Sequence, residues 1–595
     1  MRPAWRVVAI LIAALLTLTF IVRFLLIGYF FGRAGASLGF ALLEALAIAG
    51  AGHLARRRRP GLALSFVIGY PLFGTVCFLV GMLKVNAATM LVVTIVFALA
   101  GIFALYENWQ SGEGRAQGAE GRAQGAEDLS ALSSLRSALW SVPVALVLIL
   151  GFIAAQAPPS SLDELAYHLA IPHAWVLAGR AIDLPLISHS YFPLGIESAD
   201  LPSLTLLGSL AGGIASHFLH LIAALATTAV IHRRTRNALL TAAIVTTPAL
   251  ALTAGWSLVD WPLLGICVAF LDVDERESGL AAGLLTKYTF IPFALLLVLL
   301  PAGEGGAKRR MRGVRLATIA AALAGSIFFI RNLILTGSPI APFITAHVPH
   351  VANYRELTLG SYIFDGRYLD ESLGASLLAA LTAIGGPVAL ALLVVGAVLW
   401  MTAPSARLLI PFFGAAATEA KLDWRALRLV LVVAVAAQLF LVAYYVDRTD
   451  AFSLLAAKQT DEQFLTKARP SYASVSWLNA ALPASSRTLV VGLNETYWFD
   501  RRVAGGGNFD GERVSAYLDA PTPEALKARL TNDGIDHVAV FAPPSMADPK
   551  KMEERETRLT PSTQRSLSQL LDKYAVDVTS RAGATLFTLQ NSPVR

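Results

Sequence analysis

Two adjacent carboxylates begin a polar segment of the chain that could do chemistry. Asp163 and Glu164 follow a long apolar run, and Tyr167 and His168 lie one helical turn further along. A carboxylate can act as general base on an acceptor hydroxyl, and two neighbouring carboxylates can bind a divalent cation. On a helix, Asp163 would share a face with Tyr167. Glu164 would likewise share a face with His168, so this segment is the first candidate for a reaction centre.

The same pair also has a purely structural interpretation. Ser161-Leu-Asp-Glu164 fits the Ser-x-x-Glu capping box, and acidic residues are favoured in the first turn of a helix. The pair would then only start a surface helix that ends near Gly179. Because the capping box uses Glu164, Asp163 is the favoured base.

Three basic residues lie where an anion could bind. Lys287 and its neighbour Tyr288 lie in an apolar stretch, where a charged side chain is costly and usually faces a cavity or a partner. Arg331 and Arg407 lie at the ends of apolar segments, and arginine suits bidentate binding of phosphate. The alternatives are snorkelling of Lys287 to an interface and ordinary boundary positions for the two arginines.

Other polar residues of the apolar part carry a weaker signal. His168, His173 and His189 share the first large loop, but their spacing fits no zinc motif, so interfacial or core positions are the simpler interpretation. Asp260 lies between two apolar segments and could be either a turn residue or a cavity group.

Composition assigns the chain to the membrane proteins. Of its 595 residues, 55% are hydrophobic and 15% are charged, whereas average chains carry about 25% charged residues. The fold class predicted from this is a polytopic α-helical membrane protein of about eleven to thirteen spans. The net charge of +7 comes with basic clusters between spans, which the positive-inside rule explains without nucleic acid. Cys77 and Cys267 belong to no disulfide or metal-ligand pattern.

Apolar segments that could cross a membrane recur along the chain. They are Val7–Phe30, Leu38–Ala55, Gly61–Leu83, Ala87–Tyr106, Ala138–Ala157, Leu204–Ile231, Ala238–Gly255, Trp261–Leu271, Gly279–Leu300, Arg315–Leu335, Leu377–Trp400, Leu408–Ala417 and Leu427–Tyr445. The basic run Lys308–Arg312 should be cytoplasmic, so we expect the segment Gly279–Leu300 to bend or re-enter near Lys287.

Two other basic clusters predict the side on which the carboxylates lie. Arg56–Arg59 follows the second of these segments, and His232–Arg236 follows the sixth. If both clusters are cytoplasmic, the carboxylate loop 158–203 faces the extracytoplasmic side.

The chain divides into three predicted parts. Residues 1–136 hold the N-terminal spans and a flexible cytoplasmic linker, which contains the tandem repeat Gly114–Glu120 and Gly121–Glu127. Residues 137–446 hold the transmembrane catalytic region with its extracytoplasmic loop 158–203. Residues 447–595 form a small α/β domain. In the last part, helical and strand-like segments alternate at Tyr472–Ala481, Thr488–Gly492, Pro523–Asn532, His537–Phe541, Ser562–Lys573 and Ala584–Thr588. Tyr497–Arg502 and Gly505–Asn508 predict an aromatic turn and a flexible loop, and the glycines lack the Lys-Ser/Thr of a phosphate loop.

In this order, the motifs resemble those of the GT-C superfamily of integral-membrane glycosyltransferases. The resemblance is greatest to bacterial relatives of protein O-mannosyltransferases and of lipid A aminoarabinose transferase. The motifs are Asp163-Glu164-x-x-Tyr167-His168 with Tyr191–Glu197, then Gly283–Tyr288, Arg331–Pro339 and Arg407–Pro411. The predicted C-terminal domain also looks like the extracytoplasmic domain that many members carry.

The resemblance implies a polyprenyl-phosphate-linked sugar as donor and a reaction among membrane lipids at the outer face of the bacterial inner (plasma) membrane. Asp163 matches the catalytic carboxylate of the family, with Glu164 beside it. Lys287 and Arg331 match basic positions that hold the lipid phosphate and make it a better leaving group. The predicted substrate-binding residues are Tyr167, His168, Lys287, Tyr288, Arg331 and Arg407.

The predicted function is an inverting transfer of a sugar from this donor to a lipid, glycan or protein of the cell envelope, with Asp163 as base. No ligand cluster requires a metal, although the paired carboxylates could hold a divalent cation. One alternative is a transporter or flippase of lipid-linked or polar solutes, because such proteins also use intramembrane charges. The hydropathy pattern shows no inverted repeat, which favours the enzyme. Another alternative is a catalytically silent scaffold that binds envelope partners.

Overall fold

Helices form most of the chain, and a mixed β-sheet lies near its C-terminus. The computed structural model describes residues 34–56, 61–120, 127–272, 275–299, 319, 321–351, 425–448, 450–456, 458–507, 510–541 and 559–593. Outside these residues lie the predicted spans Val7–Phe30, Leu377–Trp400 and Leu408–Ala417, the basic run Lys308–Arg312 and the predicted site residue Arg407.

The helical part contains thirteen α-helices among the described residues that we number in chain order. They are α1 (Gly35–Ala55), α2 (Leu62–Leu83), α3 (Ala87–Glu120), α4 (Glu127–Ala154), α5 (Ala170–Ala178), α6 (Leu201–Thr235), α7 (Ala238–Val245), α8 (Pro248–Leu252), α9 (Asp260–Phe270), α10 (Arg276–Leu284), α11 (Phe290–Leu299), α12 (Ile327–Thr336) and α13 (Arg425–Arg448). Between α4 and α6 there are also a π-helix (Glu164–His168) and two 3-10 turns (Ser188–Tyr191 and Glu197–Asp200).

Four helices of the described residues are long and apolar enough to cross a membrane. They are Gly35–Ala55, Leu62–Leu83, Ala87–Gln110 and Glu197–Thr235, the last of which includes a 3-10 turn. The shorter apolar helices are Ser141–Ala154, Asp260–Phe270, Ile327–Thr336 and Val435–Tyr444. These are fewer than the predicted number of about eleven to thirteen spans, which stays a prediction because several of the predicted spans lie wholly or partly outside the described residues.

Close approach of backbones holds the first three helices together. A Cβ atom added at Gly69 of α2 would lie 1.9 Å from the carbonyl oxygen of Ile48, and one added at Gly50 of α1 would lie 2.0 Å from that of Phe97. Small residues allow such approach, which increases van der Waals contact between apolar helices. Only glycine fits these two positions without a shift of the helices.

Arg56 and Arg233, one residue from each of the two basic clusters, lie at the same end of the bundle. Arg56 follows α1 and donates from Nε to Glu275 Oε2 across 2.8 Å. A Cβ atom at Gly61, which precedes α2, would lie 3.7 Å from Nη1 of Arg233 near the end of α6. Helix α6 is broken at Gly208, whose backbone is not helical, so its 35 residues do not form one straight rod. The carboxylate segment contacts α6 at His217, which lies 16 residues before Arg233 and therefore about 24 Å away along the helix.

The predicted flexible linker is partly wrong. Helix α3 continues to Glu120 and so includes the first copy of the repeat, Gly114–Glu120. Besides its two glycines, the repeat consists of Ala, Arg, Gln and Glu, which are all good helix formers. These residues allow the helix to continue beyond its apolar part.

The predicted break near Lys287 is confirmed. Helix α10 ends at Leu284 and α11 begins at Phe290, so the apolar segment consists of two short helices rather than one. Lys287 lies in the connection between them. Such a break leaves some backbone amide and carbonyl groups without hydrogen bonds within a helix. An apolar bundle tolerates the break where protein or a cavity surrounds these groups.

The C-terminal part is the predicted small α/β domain. Its elements are α14 (Ala451–Leu455), α15 (Asp461–Ala468), α16 (Tyr472–Ala481), β1 (Arg487–Val491), β2 (Arg502–Ala504), α17 (Gly511–Leu518), α18 (Pro523–Asn532), β3 (His537–Phe541), α19 (Pro561–Tyr574), β4 (Ala575–Arg581) and β5 (Ala584–Leu589). The strand order is β2-β1-β3-β5-β4; β1 is parallel to β2 and β3, and β5 is antiparallel to β3 and β4. The sequence pattern does not predict β4, an exposed edge strand, nor β2, α14, α15 and α17.

Apolar side chains connect this domain to the carboxylate segment. Leu165 and Leu169 are fully buried and belong to the same cluster as Val490 of β1, Tyr497 and Phe499. Backbone hydrogen bonds reinforce the contact, because the Leu165 carbonyl accepts from the amide of Tyr497 across 3.2 Å. The carboxylate segment thus lies between the helical bundle and the α/β domain.

Candidate functional site

A π-helix carries the carboxylate segment. It spans Glu164–His168, and the amide of Leu169 donates to the carbonyl of Glu164 across 2.9 Å. Helix α5 continues from it to Ala178, and Gly179 follows with a left-handed φ of 71°, so the predicted end near Gly179 is confirmed. The prediction of a surface helix is wrong, because the π-helix and the first turn of α5 are buried. Single π turns occur often at functional sites.

Asp163 is held by Tyr167. The Tyr167 hydroxyl donates to Oδ2 of Asp163 across 3.1 Å, which confirms that the two residues share a face. Tyr167 is buried, whereas Asp163 is half-buried. Burial, and then the negative charge of Asp163, raise the pKa of Tyr167 well above its ordinary value, so the tyrosine remains a hydrogen-bond donor.

Glu164 turns into the bundle and is fully engaged. Its Oε1 accepts from His217 Nε2 and from the Ser257 amide, each across 2.7 Å. Its Oε2 accepts from the amides of Ser161 (3.0 Å) and Ser160 (3.3 Å). The Glu164 amide in turn donates to Ser161 Oγ across 3.4 Å, which completes the predicted capping box.

The electrostatics of Glu164 match this geometry. Burial by itself would raise the pKa of the carboxyl, but the charge and hydrogen bond of His217, together with the donating amides, lower the pKa to about 2. The carboxylate is therefore ionised, buried and satisfied by four donors. Such a group stabilises the local structure and has no lone pair left for an incoming hydroxyl.

Glu164 and His168, which were predicted to share a face of a helix, bind different partners. His168 Nδ1 lies 2.9 Å from Oε1 of Glu197, at the start of the 3-10 turn before α6. Both side chains of this second pair are buried. Backbone amides at the start of the π-helix bind the carboxylate of Glu164. His168 pairs instead with the carboxylate of Glu197, which belongs to another element. Glu197 belongs to a quoted motif but was not predicted as a site residue.

His189 is part of the site, although the sequence favoured an interfacial or core position without a functional role. Its ring stacks on Tyr167 with centroids 4.1 Å apart and an interplanar angle of 16°. The ring of Phe192 is tilted against that of His189, with centroids 4.8 Å apart. Burial of the ring, with smaller contributions from nearby positive groups, lowers the pKa of His189 to about 3, so the imidazole is neutral near pH 7. The alternation of His189, Tyr191 and Phe192 was the only signal in the sequence.

Lys287 lies beside this stack with its ammonium group available. The side chain is half-buried in the break between α10 and α11. Its positive charge acts on His189. Within the described ranges, the ammonium group has no hydrogen-bonding or ion-pairing partner. A half-buried cation in this state is ready to bind an anion.

Tyr288, next in sequence, holds the surrounding loops instead. Its hydroxyl donates to the carbonyl of Ala341 across 2.7 Å and accepts from Asn332 Nδ2 across 2.9 Å. Asn332 Nδ2 also donates to the carbonyl of Tyr191. The Tyr288 hydroxyl therefore joins three segments, and its ring lies 5.5 Å from that of Phe192.

Arg331 is largely occupied by protein groups. Its Nη1 donates to the carbonyl of Ser190 across 2.7 Å, and its Nη2 lies 4.0 Å from Asp183. The guanidinium lies over the rings of Phe78 and Tyr191, at 5.6 Å and 5.7 Å from their centroids. These contacts hold the 3-10 turn that contains His189.

The resulting site centres on Asp163, Tyr167 and His189, with Lys287 beside them. A half-buried carboxylate oriented by a tyrosine can accept a proton, and a nearby ammonium can neutralise an anion. Of the other predicted site residues, Glu164, His168, Tyr288 and Arg331 surround this centre and are bound to protein partners. Within the described part of the chain, no group of three or more His, Cys, Asp and Glu side chains is arranged to hold a metal ion.

Searches with this chain against protein-family models, curated proteins and solved structures found no match. The arguments about function therefore depend on the geometry of the site and on the motifs of the sequence.

Proposed function

We propose that the chain is a membrane glycosyltransferase that moves a sugar from a polyprenyl-phosphate-linked donor to a cell-envelope acceptor. The reaction takes place at the extracytoplasmic face of the bacterial inner membrane, where the α/β domain and the carboxylate segment lie together. The observation that carries the proposal is the hydrogen bond between Tyr167 and Asp163, beside the unpaired ammonium group of Lys287.

Asp163 is the general base of the proposed reaction. Its carboxylate takes the proton of the acceptor hydroxyl while the acceptor oxygen bonds to the anomeric carbon. The bond from that carbon to the phosphate oxygen breaks, and polyprenyl phosphate leaves with the electron pair. The hydroxyl of Tyr167 donates to Oδ2 of Asp163 and orients the carboxylate towards the acceptor in this proposal.

Lys287 stabilises the leaving phosphate in this proposal. A positive group in a site of low dielectric interacts strongly with charge that develops in the transition state. The neutral imidazole of His189 does not compete with the lysine for the phosphate.

Glu164, Tyr288 and Arg331 have positioning roles rather than the chemical or binding roles suggested by the motifs. Glu164 fixes the π-helix through its bonds to His217 and to backbone amides. Arg331 fixes the turn that carries His189. Each of these side chains is too occupied by protein groups to be the first contact of a substrate.

The test is a transfer assay with purified full-length protein in proteoliposomes. Radiolabelled polyprenyl-phospho-sugars are supplied together with a cell-envelope extract as the source of acceptors. The proposal predicts that label moves from the lipid to a component of the extract. If the label instead crosses the membrane while still on its lipid, the protein is a flippase. If, with every donor tested, the label neither moves to a component of the extract nor crosses the membrane, the proposed enzyme function is wrong.

A further inference from the structure

A run of three glycines in the α/β domain is packed against the carboxylate loop. Gly505, Gly506 and Gly507 are all buried, so the predicted flexible loop is wrong for these residues. A Cβ atom at Gly507 would lie 3.2 Å from the carbonyl oxygen of Ala166 in the π-helix and 3.1 Å from Oδ2 of Asp510. The absence of side chains lets this backbone pass between the two parts of the protein.

Asp510 connects this glycine run to the loop. Its Oδ2 accepts from the amide of Gly507 across 2.7 Å. Both of its carboxylate oxygens lie 3.1 Å from the amide nitrogen of Ser188, which donates to them. Asp510 and Ser188 are buried, with 1% and 2% of their surfaces exposed. A carboxylate that accepts backbone amides in a buried place makes strong, charge-assisted bonds.

The amide held by Asp510 lies directly before the stacking histidine. Ser188 begins the 3-10 turn, and the next residue, His189, stacks on Tyr167. Tyr167 in turn donates to Asp163. A contiguous series of contacts therefore runs from the α/β domain to the proposed base.

We infer that Asp510 is a positioning residue through which the α/β domain holds the Tyr167–His189 stack against Asp163. This inference rests on the proposed function for its kinetic consequence but not for its structural one. In the native protein, the domain is then part of the site and not an appended module. Loss of the Asp510 contact leaves the base present but misaligned.

The structural consequence is tested in the full chain by hydrogen exchange and by modification of histidine with diethyl pyrocarbonate. In Asp510→Asn, the side-chain amide group opposes the donating backbone amides. The inference predicts that exchange at the Ser188 amide and modification of His189 both become roughly tenfold faster or more. The matched control is Asp536→Asn, since Asp536 also accepts a backbone amide, that of Arg487 across 3.0 Å, on the exposed side of the sheet.

A second variant tests the same contact without a change of charge. Gly507→Ala places a methyl group between Asp510 and Ala166, so it should also speed the modification of His189. Gly39→Ala is its control, because a Cβ atom at Gly39 has no atom within 4 Å. Native rates at Ser188 and His189 in both Asp510→Asn and Gly507→Ala would overturn the inference.

The kinetic consequence separates positioning from a general structural role. Asp510→Asn should lower kcat with a polyprenyl-phospho-sugar roughly tenfold or more and leave the KM for that donor close to its native value, even though the loss of buried hydrogen bonds also lowers the Tm. A fall in Tm with unchanged kcat would mean that Asp510 serves folding alone, and would contradict the inference. If native protein transfers no sugar, the proposed function fails, whereas the exchange and modification rates still decide whether Asp510 holds the stack.

Discussion

Tyr167 donates a 3.1 Å hydrogen bond to Asp163 but not to the adjacent acid, Glu164, so the two carboxylates lie in different environments. Asp163 remains half-buried at the edge of the site, whereas Glu164 is buried and bound by His217. Asp163 is thus the partly exposed carboxylate of the pair, and Glu164 is the one committed to structure. The predictions below follow from this division.

The first prediction contrasts the stability of variants of the two acids. Glu164→Gln removes the charge that His217 and three backbone amides stabilise, and breaking a buried ion pair typically costs about 3 kcal/mol or more. Asp163→Asn changes a half-buried group and should leave the stability nearly native. Thermal unfolding of both variants in detergent measures the difference. An equal fall in Tm for the two variants would contradict the assignment.

The second prediction concerns the hydroxyl that orients the base. Tyr167→Phe keeps the ring stack on His189 but removes the hydrogen bond to Asp163, so kcat should fall about tenfold. The KM for the donor should change little, because the hydroxyl acts through the carboxylate. Tyr106→Phe is the control, since it also removes a bonded hydroxyl, but on an exposed helix face. A native kcat in Tyr167→Phe would exclude the orienting role.

The third prediction tests the free cation. Lys287→Gln should raise the KM for a polyprenyl-phospho-sugar about tenfold or more, because the phosphate loses a charge-assisted partner. Its Tm should stay native, since no described residue pairs with the ammonium group. The exposed Lys84 supplies a control, and Lys84→Gln should leave KM unchanged. The role of Lys287 is refuted if the KM of its variant is also unchanged.

The fourth prediction concerns pH and the contact between the two parts of the protein. His173 of α5 is buried beside the ring of Tyr497, and burial lowers its pKa from 6.5 to about 4. The unfolded chain therefore binds this proton more readily than the folded chain. The stability contributed by neutral His173 is complete above pH 6.5 and falls as the pH drops towards 4, by about 1.4 kcal/mol per pH unit.

The difference in the pH dependence of Tm between the native protein and His173→Gln, measured from pH 7.5 to 5, isolates this effect, because the lowered pKa of His189 acts on both proteins alike. The lowered pKa of Glu164 acts only at lower pH, between the ordinary value of about 4.3 and about 2, so it does not contribute in this range. His173→Gln should flatten the curve relative to the native protein. Identical curves for the two proteins would show that the burial of His173 does not make the stability of the fold depend on pH.

Much of the fold follows from local patterns in the sequence. The apolar segments predicted α2 within one residue of its bounds, and the helix Pro523–Asn532 and strand His537–Phe541 agree at both ends. The capping box of Ser161 and Glu164 is present. In these cases the signal lies within a few residues of the feature, whereas the break near Lys287 was predicted from the more distant basic run Lys308–Arg312.

The site was harder to predict because its partners lie far apart in sequence. Spacing on one helix predicted that Tyr167 shares a face with Asp163, and the two are bonded, but it predicted the same for His168 and Glu164, which bind other residues. The actual partner of Glu164 is His217, 53 residues later, and that of His168 is Glu197, 29 residues later. Packing between elements chooses these pairs, and periodicity within one element carries no information about that choice. For the same reason, Gly505–Gly507 was interpreted as flexible although its position is buried.

The central claim is that Asp163 is the base of a sugar transfer, and the rate of transfer by Asp163→Asn tests it most directly. Purified native protein, Asp163→Asn and the control Asp536→Asn are given the same radiolabelled polyprenyl-phospho-sugar and acceptor. We predict that Asp163→Asn loses about 100-fold or more in kcat, with a native Tm and an unchanged KM for the donor, while Asp536→Asn transfers at the native rate. Transfer by Asp163→Asn at the native rate would contradict the account.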